Sequence, residues 1–238
     1  MSTYVLIHGG CHGAWCWDKV TPLLKQGGHT VVAPDLPGRG KDSTPMVQVT
    51  LQSCADRVCE VISQQSEPVI LAGHSMGGRV ISQAAEQCPN YVSTLVYVTA
   101  SLLRNGEVKT PPKEGVGTTL HSQSLITFED GLLVTHGEEA LKELLYHDCT
   151  DEDVEWAKSM LVPEALAILQ TPIRVTEKNY GRIPRVYIEC LQDNAILPET
   201  QKQMYTRMPC QRVISMNTSH MPMLSAPLEL AGHLMSIP

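Results

Sequence analysis

Val69-Ile70-Leu71-Ala72-Gly73-His74-Ser75-Met76-Gly77-Gly78 is the stretch on which the fold turns: four apolar residues run into a Gly-His-Ser-Met-Gly pentapeptide, and helix-like sequence continues to Gln87. The G-x-S-x-G form is that of a nucleophile elbow, a sharp strand-to-helix turn whose flanking glycines keep Cβ atoms clear of the crossing backbone. Such a turn lifts the Ser75 hydroxyl to the edge of a sheet and aims the first N–H groups of the following helix at a reacting oxygen. The strand before and the helix after give the pentapeptide its meaning, since glycine and serine are common in any loop.

Outward from the elbow, Tyr4-Val5-Leu6-Ile7 reads as a first strand, and Trp15 to Lys25 carries helical spacing closed by Gly27-Gly28. Thr30-Val31-Val32-Ala33 is a second strand entering the turn-rich Asp35-Leu36-Pro37-Gly38-Arg39-Gly40. Leu51 to Gln65 is predicted helical with Leu51, Ala55, Val58, Val61 and Ile62 on one face, and Leu95-Val96-Tyr97-Val98 is the strand after the elbow helix. Continuous apolar strands alternating with amphipathic helices call for a parallel sheet covered on both faces. The alternation stops after Thr99. Prolines and glycines (Pro111-Pro112, Gly115, Gly117) and helical patterns such as Glu138 to Tyr146 and Asp151 to Met160 follow, before strands resume at Val186-Tyr187-Ile188-Glu189 and end with Arg212-Val213-Ile214-Ser215. Residues 101–181 are therefore expected to be a helical lid inserted into a core made of residues 1–100 and 182–238, over the C-terminal edge of the sheet.

At 238 residues and 42% hydrophobic the chain is sized for one core. A net charge of −7 without a basic run argues against nucleic acid as a partner. Met1 to Ile7 lacks a basic leader and a long apolar run, and no stretch approaches the ~20 apolar residues a membrane span needs, so a cytoplasmic protein without membrane contact is expected. Eight cysteines (Cys11, Cys16, Cys54, Cys59, Cys88, Cys149, Cys190 and Cys210), with no C-x-x-C pair among them, read as reduced thiols.

A serine hydroxyl needs a base to take its proton and an acid to orient that base, in the chain order serine, acid, histidine for this architecture. Of nine histidines, His220 and His233 follow the last strand; His233 lies inside the helical pattern Leu228 to Ile237, which leaves His220, in the loop Asn217-Thr218-Ser219-His220-Met221, as the base. Asp193 is the acid by placement, because Glu189 lies within the strand and Glu199 opens a helix after Pro198. A plain turn residue is the alternative reading of Asp193, and a structural loop histidine that of His220. His74, beside the nucleophile, is expected to point away and pack. His8, Cys11 and His12 lack further ligands at a metal-binding spacing, so no metal is expected. The oxyanion donors are expected at the N–H groups of Met76 and of Gly10 in His8-Gly9-Gly10-Cys11-His12-Gly13, with Gly9 and Cys11 as the neighbouring alternatives.

With these residues in place, the chain resembles the α/β-hydrolase superfamily over essentially its whole length, and within it the group of plant methylesterases, hydroxynitrile lyases and bacterial pyrethroid-hydrolysing esterases. The resemblance rests on Leu6 to Trp15, Asp35 to Gly40, the elbow, Gln192-Asp193 with Pro198 and Gln201 downstream, and Ser219-His220-Met221. It implies an α/β-hydrolase fold with an about six-stranded, mostly parallel sheet, helices on both faces and a small helical lid. It also implies a Ser75-Asp193-His220 triad acting as a serine carboxylesterase, without cofactor, on a small hydrophobic ester of aryl, alkyl or pyrethroid-like type, in a monomer or homodimer. Hydroxynitrile lyases of the group carry a threonine after the first-strand histidine and a lysine after the catalytic one; Gly9 and Met221 stand there in this chain, which favours hydrolysis over a lyase-like role. A non-catalytic binding protein on the same fold is the other alternative. The substrate pocket is expected to draw on Gly9, Phe128, Leu132, Leu161 and Met221, an apolar, methionine-bearing lining suited to bulky esters.

Overall fold

The computed structural model of the chain describes residues 1–108, 125–128 and 133–238. Its strands are β1 (Thr3–Ile7), β2 (Thr30–Val32), β3 (Val69–His74), β4 (Val92–Val98), β5 (Leu125–Phe128), β6 (Leu133–His136), β7 (Glu164–Ala165), β8 (Arg185–Cys190) and β9 (Arg212–Met216). Its longer helices are α1 (Thr21–Gln26), α2 (Leu51–Ser63), α3 (Gly77–Gln87), α4 (Asp151–Met160), α5 (Pro198–Arg207) and α6 (Pro227–Met235). Six strands form one sheet in the order β2-β1-β3-β4-β8-β9, every neighbouring pair parallel.

A parallel sheet must be covered on both faces, and the period-2 alternation of the strands shows how. Val5, Ile7, Val69, Leu71, Leu95 and Tyr97 point into one core with α2 and α3. Tyr4, Leu6, Ile70, Ala72, Val96 and Val98 point into the other, against Leu24 of α1, Val154 of α4 and Leu230 and Leu234 of α6. The stripe Leu51, Ala55, Val58, Val61 and Ile62 is buried, as its spacing predicts. Thr50 caps that helix: its hydroxyl accepts from Ser53 N–H at 3.1 Å while Ser53 Oγ accepts from Thr50 N–H at 3.0 Å. The helical pattern from Trp15 to Lys25 splits into a 3₁₀ turn (Ala14–Trp17) and α1, because Pro22 lacks an N–H and starts a new helix instead of continuing one.

Two findings depart from the sequence expectations. Between β4 and β8 the insertion carries, besides α4 and the helical run Glu138–Leu141 that widens into a π turn at Lys142–Tyr146, a small antiparallel sheet of β5, β6 and β7. Short runs rich in β-branched residues (Ile126-Thr127, Val134-Thr135) favour strands. The expectation of eight reduced thiols is also corrected: Cys59 on α2 and Cys88 at the end of α3 form a disulfide with Cα atoms 6.0 Å apart, and the other six cysteines are in no disulfide. No local motif announces this pair, which is brought together by the packing of α2 on α3 across a separation of 29 residues. Among the described residues, no helix is long and apolar enough to cross a membrane.

The chain places β2 on one side of β1 and β3 on the other, so the strand order reverses between β1 and β3 and a crevice opens beyond their C-terminal ends. Ile7 at the end of β1 lies beside Gly73 near the end of β3, which puts the loop after β1 next to the elbow.

Candidate active site

Ser75 follows β3 directly and takes φ +51°, a left-handed conformation that few non-glycine residues adopt. The turn closes tightly enough that a Cβ on Gly73 would stand 2.7 Å from the Gly77 carbonyl oxygen, and one on Gly77 2.7 Å from that of His8. Both positions therefore admit only glycine. Ser75 N–H donates to Val98 O at 3.3 Å, and Ser75 O accepts from Gly78 N–H and Ser101 N–H at 3.1 and 3.0 Å, so the strained residue is held on every side.

The three residues picked from chain order meet at this serine. His220 Nε2 lies 2.9 Å from Ser75 Oγ, and His220 Nδ1 lies 2.7 Å from Asp193 Oδ2. A carboxylate only accepts, so Nδ1 carries the proton and Nε2 presents its lone pair to the serine O–H. Asp193 is buried and is both a turn residue and the partner of His220: its Oδ1 accepts from Ala195 and Ile196 N–H at 2.7 and 2.8 Å while Oδ2 faces the imidazole. Gln201 on α5 braces the same loop, its Nε2 donating to Cys190 O at 2.9 Å and to Ile196 O at 2.7 Å. Thr99 Oγ1, on the residue after β4, also donates to Asp193 Oδ2.

His74 does more than pack. Its Nε2–H donates to the His220 carbonyl at 2.8 Å and its ring lies 4.7 Å, centre to centre, from that of His220. Burial, then the facing His220 and His12, holds its pKa well below the ordinary 6.5, so it serves as a neutral brace.

The loop after β1 is pinned at each peptide. His8 Nδ1–H donates to Gly9 O at 2.9 Å while its Nε2 accepts from Leu36 N–H at 3.2 Å. His12 Nδ1–H donates to Gly10 O at 2.6 Å and its Nε2 accepts from Tyr146 O–H at 2.6 Å. Both imidazoles thus use both nitrogens on the loop and its surroundings. Among the described residues, no group of three or more His, Cys, Asp or Glu side chains is placed to hold a metal ion. In a trans peptide C=O and N–H point opposite ways, so His8, by holding Gly9 O, also fixes the direction of Gly10 N–H. Cys11 N–H donates to Glu164 Oε2 at 3.2 Å. Gly10 sits beside Met76, a Cβ built on it falling 3.7 Å from Met76 Cβ. Burial, then Glu164, pushes the Cys11 thiol up to about 12, so the thiol is not poised as a thiolate near neutral pH.

Of the expected pocket residues, Gly9 abuts the elbow, Met221 is fully buried, and Leu161 packs partly buried against the apolar cluster containing Met221. Leu132 and the side chain of Phe128 lie outside the described residues. Sequence reasoning overlooks Thr99, Glu164 and the role of Arg39. Arg39 stands in the quoted run Asp35 to Gly40, but Glu164 lies 125 residues further on, with no local pattern to mark it.

The model of the alpha/beta hydrolase family matches residues 4–233. Methylesterase 2 of Arabidopsis thaliana is 35% identical, the match covering 98% of this chain and 95% of the relative. The crystal structure of polyneuridine aldehyde esterase superposes with a TM-score of 0.87 at 28% identity over 100% of this chain and 99% of that one. A pyrethroid hydrolase from Sphingobium faniae gives a TM-score of 0.89 at 29% identity over 98% and 96% of the two chains.

Proposed function

The chain belongs to the alpha/beta hydrolase family, and from that premise we propose that it is a serine esterase that cleaves small hydrophobic carboxylic esters through an acyl-enzyme. The observation that carries this reading is the unbroken line Ser75 Oγ, His220 Nε2, His220 Nδ1, Asp193 Oδ2, with contacts of 2.9 and 2.7 Å. Ser75 Oγ attacks the ester carbonyl while His220 Nε2 takes its proton, and the imidazolium is stabilised by Asp193. The carbonyl oxygen becomes an oxyanion facing the N–H groups of Gly10 and Met76. Collapse expels the alcohol, which takes the proton back from His220. Water then attacks the acyl-serine by the same route, releasing the acid and restoring Ser75. No metal or cofactor enters these steps.

Residues 101–181 are assigned as the lid over this site and residues 1–100 and 182–238 as the core. An apolar substrate is supported by Met221 in the catalytic loop, with Leu161 packed on the same apolar cluster, and by a similar structure named as a pyrethroid hydrolase; ester cleavage is supported by a relative named methylesterase. The lyase alternative is disfavoured by position 9: a Cβ there would stand 2.8 Å from His74 Nδ1 and 2.9 Å from Ser75 Cβ, so a threonine does not fit this arrangement.

A panel of p-nitrophenyl acetate, p-nitrophenyl butyrate and an aryl methyl ester tests the proposal. Turnover by the wild type, indifferent to chelator and lowered about 10⁴- to 10⁶-fold in Ser75→Ala, is expected. Silence on every ester, or more than a few per cent of activity in Ser75→Ala, overturns it and leaves a binding role.

A further inference from the structure

Cys11 takes φ +62°, a left-handed conformation sparsely populated by residues with a Cβ, and both of its backbone polar groups are held by one short piece of the insertion. Its N–H donates to Glu164 Oε2 at 3.2 Å and its carbonyl accepts from Val162 N–H at 3.0 Å. Glu164 is fully buried on β7 and paired with the equally buried Arg39, Nη2 to Oε2 2.6 Å, while its Oε1 accepts from Ala165 N–H at 2.9 Å. Arg39 in turn donates Nε–H to His12 O at 2.6 Å and Nη1–H to Pro37 O at 3.4 Å. One ion pair therefore ties together the loop after β1, the loop after β2 and the insertion.

We propose that Glu164 is a positioning residue for the oxyanion site: through Cys11 it fixes the peptide next to Gly10, and its pair with Arg39 makes docking of the insertion and assembly of the oxyanion donors one event. The chemistry explains why the pair is needed. A lone carboxylate one residue from Gly10 opposes the negative charge that develops on the substrate oxygen, and the guanidinium at 2.6 Å cancels that opposition. The insertion also reaches the other two loops of the site, His147 Nε2–H donating to Gln192 O at 2.8 Å and Asp148 Oδ2 accepting from Ser219 N–H at 2.8 Å, so its docking bears on the whole centre.

This inference rests on the serine esterase reading, and the test separates the two. Wild type, Glu164→Ala, Glu164→Gln and the double variant Arg39→Met/Glu164→Leu are titrated for active sites with a fluorophosphonate. Then kcat and KM for p-nitrophenyl butyrate and the inhibition constant of phenylboronic acid, whose tetrahedral adduct needs the oxyanion donors, are measured with Tm. Glu164→Ala is expected to lose about 10- to 100-fold in kcat with KM within about threefold, and to lose boronate affinity by a similar factor. Glu164→Gln keeps an oxygen for Cys11 N–H and is expected to recover most of the kcat. A fall in Tm with wild-type kcat per titrated site and wild-type boronate affinity makes Glu164 merely structural and overturns the inference. Should Glu164→Ala not fold, the double variant Arg39→Met/Glu164→Leu, which buries no charge and leaves Cys11 N–H without its acceptor, is decisive: about a tenfold or greater loss of kcat with KM unchanged supports the inference, and full kcat overturns it. A wild type silent on every ester sinks the esterase reading and this inference with it; an active wild type with fully active variants sinks this inference alone.

Discussion

Gly9→Ala should damage the centre without replacing any residue that does chemistry. The added Cβ meets His74 Nδ1 at 2.8 Å, Ser75 Cβ at 2.9 Å and His74 Cε1 at 3.2 Å, whereas nonbonded carbon contacts settle near ~3.5 to 4.0 Å. Several tenths of an ångström must come from somewhere, and neither neighbour is a flexible end. His74 is buried and tied through Nε2 to His220 O at 2.8 Å, and Ser75 is held in its left-handed turn by Val98, Gly78 and Ser101. The displacement therefore passes to the Ser75 hydroxyl and the His220 loop together. A shift approaching 1 Å in reacting groups costs on the order of 10²-fold, and overpacking of this kind costs about 1–3 kcal/mol of stability. The assay is kcat/KM on p-nitrophenyl butyrate beside a thermal melt. A fall of about 10²-fold with a modest drop in Tm is expected. An alanine variant within about threefold of wild type, with unchanged Tm, refutes the close approach of this loop to the elbow and the reasoning built on it.

Asp193→Asn should lower kcat about 10⁴-fold with the fold retained, since the amide still accepts from Ala195 and Ile196 N–H but favours the wrong His220 tautomer. Near-normal turnover moves the acid elsewhere. His8 and His74 are both held well below the ordinary 6.5 by burial, so the folded chain binds fewer protons than the unfolded one in mild acid. Stability is then full above about pH 6.5 and is lost as pH falls below it, by roughly 1.4 kcal/mol per pH unit for each histidine. Urea midpoints at pH 7.5, 6.0 and 5.0 check this, with a shallower decline in His74→Gln, and a pH-independent midpoint contradicts it. Unreduced, denatured protein should titrate six thiols with a disulfide-exchange reagent, against the eight cysteines of the chain; eight thiols rule out the Cys59–Cys88 link.

What is legible in the sequence is what rests on local spacing. The elbow can be read because a strand-to-helix turn needs glycine at positions 73 and 77, where the structure brings a carbonyl oxygen to 2.7 Å of each absent Cβ. The order serine, acid, histidine places Asp193 and His220 because each follows an apolar strand, and the sheet brings strand ends together. Partners assembled only by tertiary packing leave no such mark. Glu164 is one acid among the charged residues of the insertion until β7 carries it to Arg39, and Thr99 is one polar residue after β4 until Asp193 arrives beside it. Cys59 and Cys88 become neighbours only when α2 lies on α3. His74 illustrates the limit from the other side: spacing excludes it from the reaction, but only the fold reveals that it carries the His220 carbonyl.

The central claim is that Ser75 becomes acylated, and rapid-mix kinetics on p-nitrophenyl butyrate with mass analysis of the quenched protein tests it most directly. The account requires nitrophenol release at up to one equivalent per chain before the steady state, and a butyryl group on the peptide carrying Ser75 that is absent in Ser75→Ala. Turnover with no acyl group on Ser75 under any quench, or an acyl group on a different side chain that Ser75→Ala leaves in place, contradicts it.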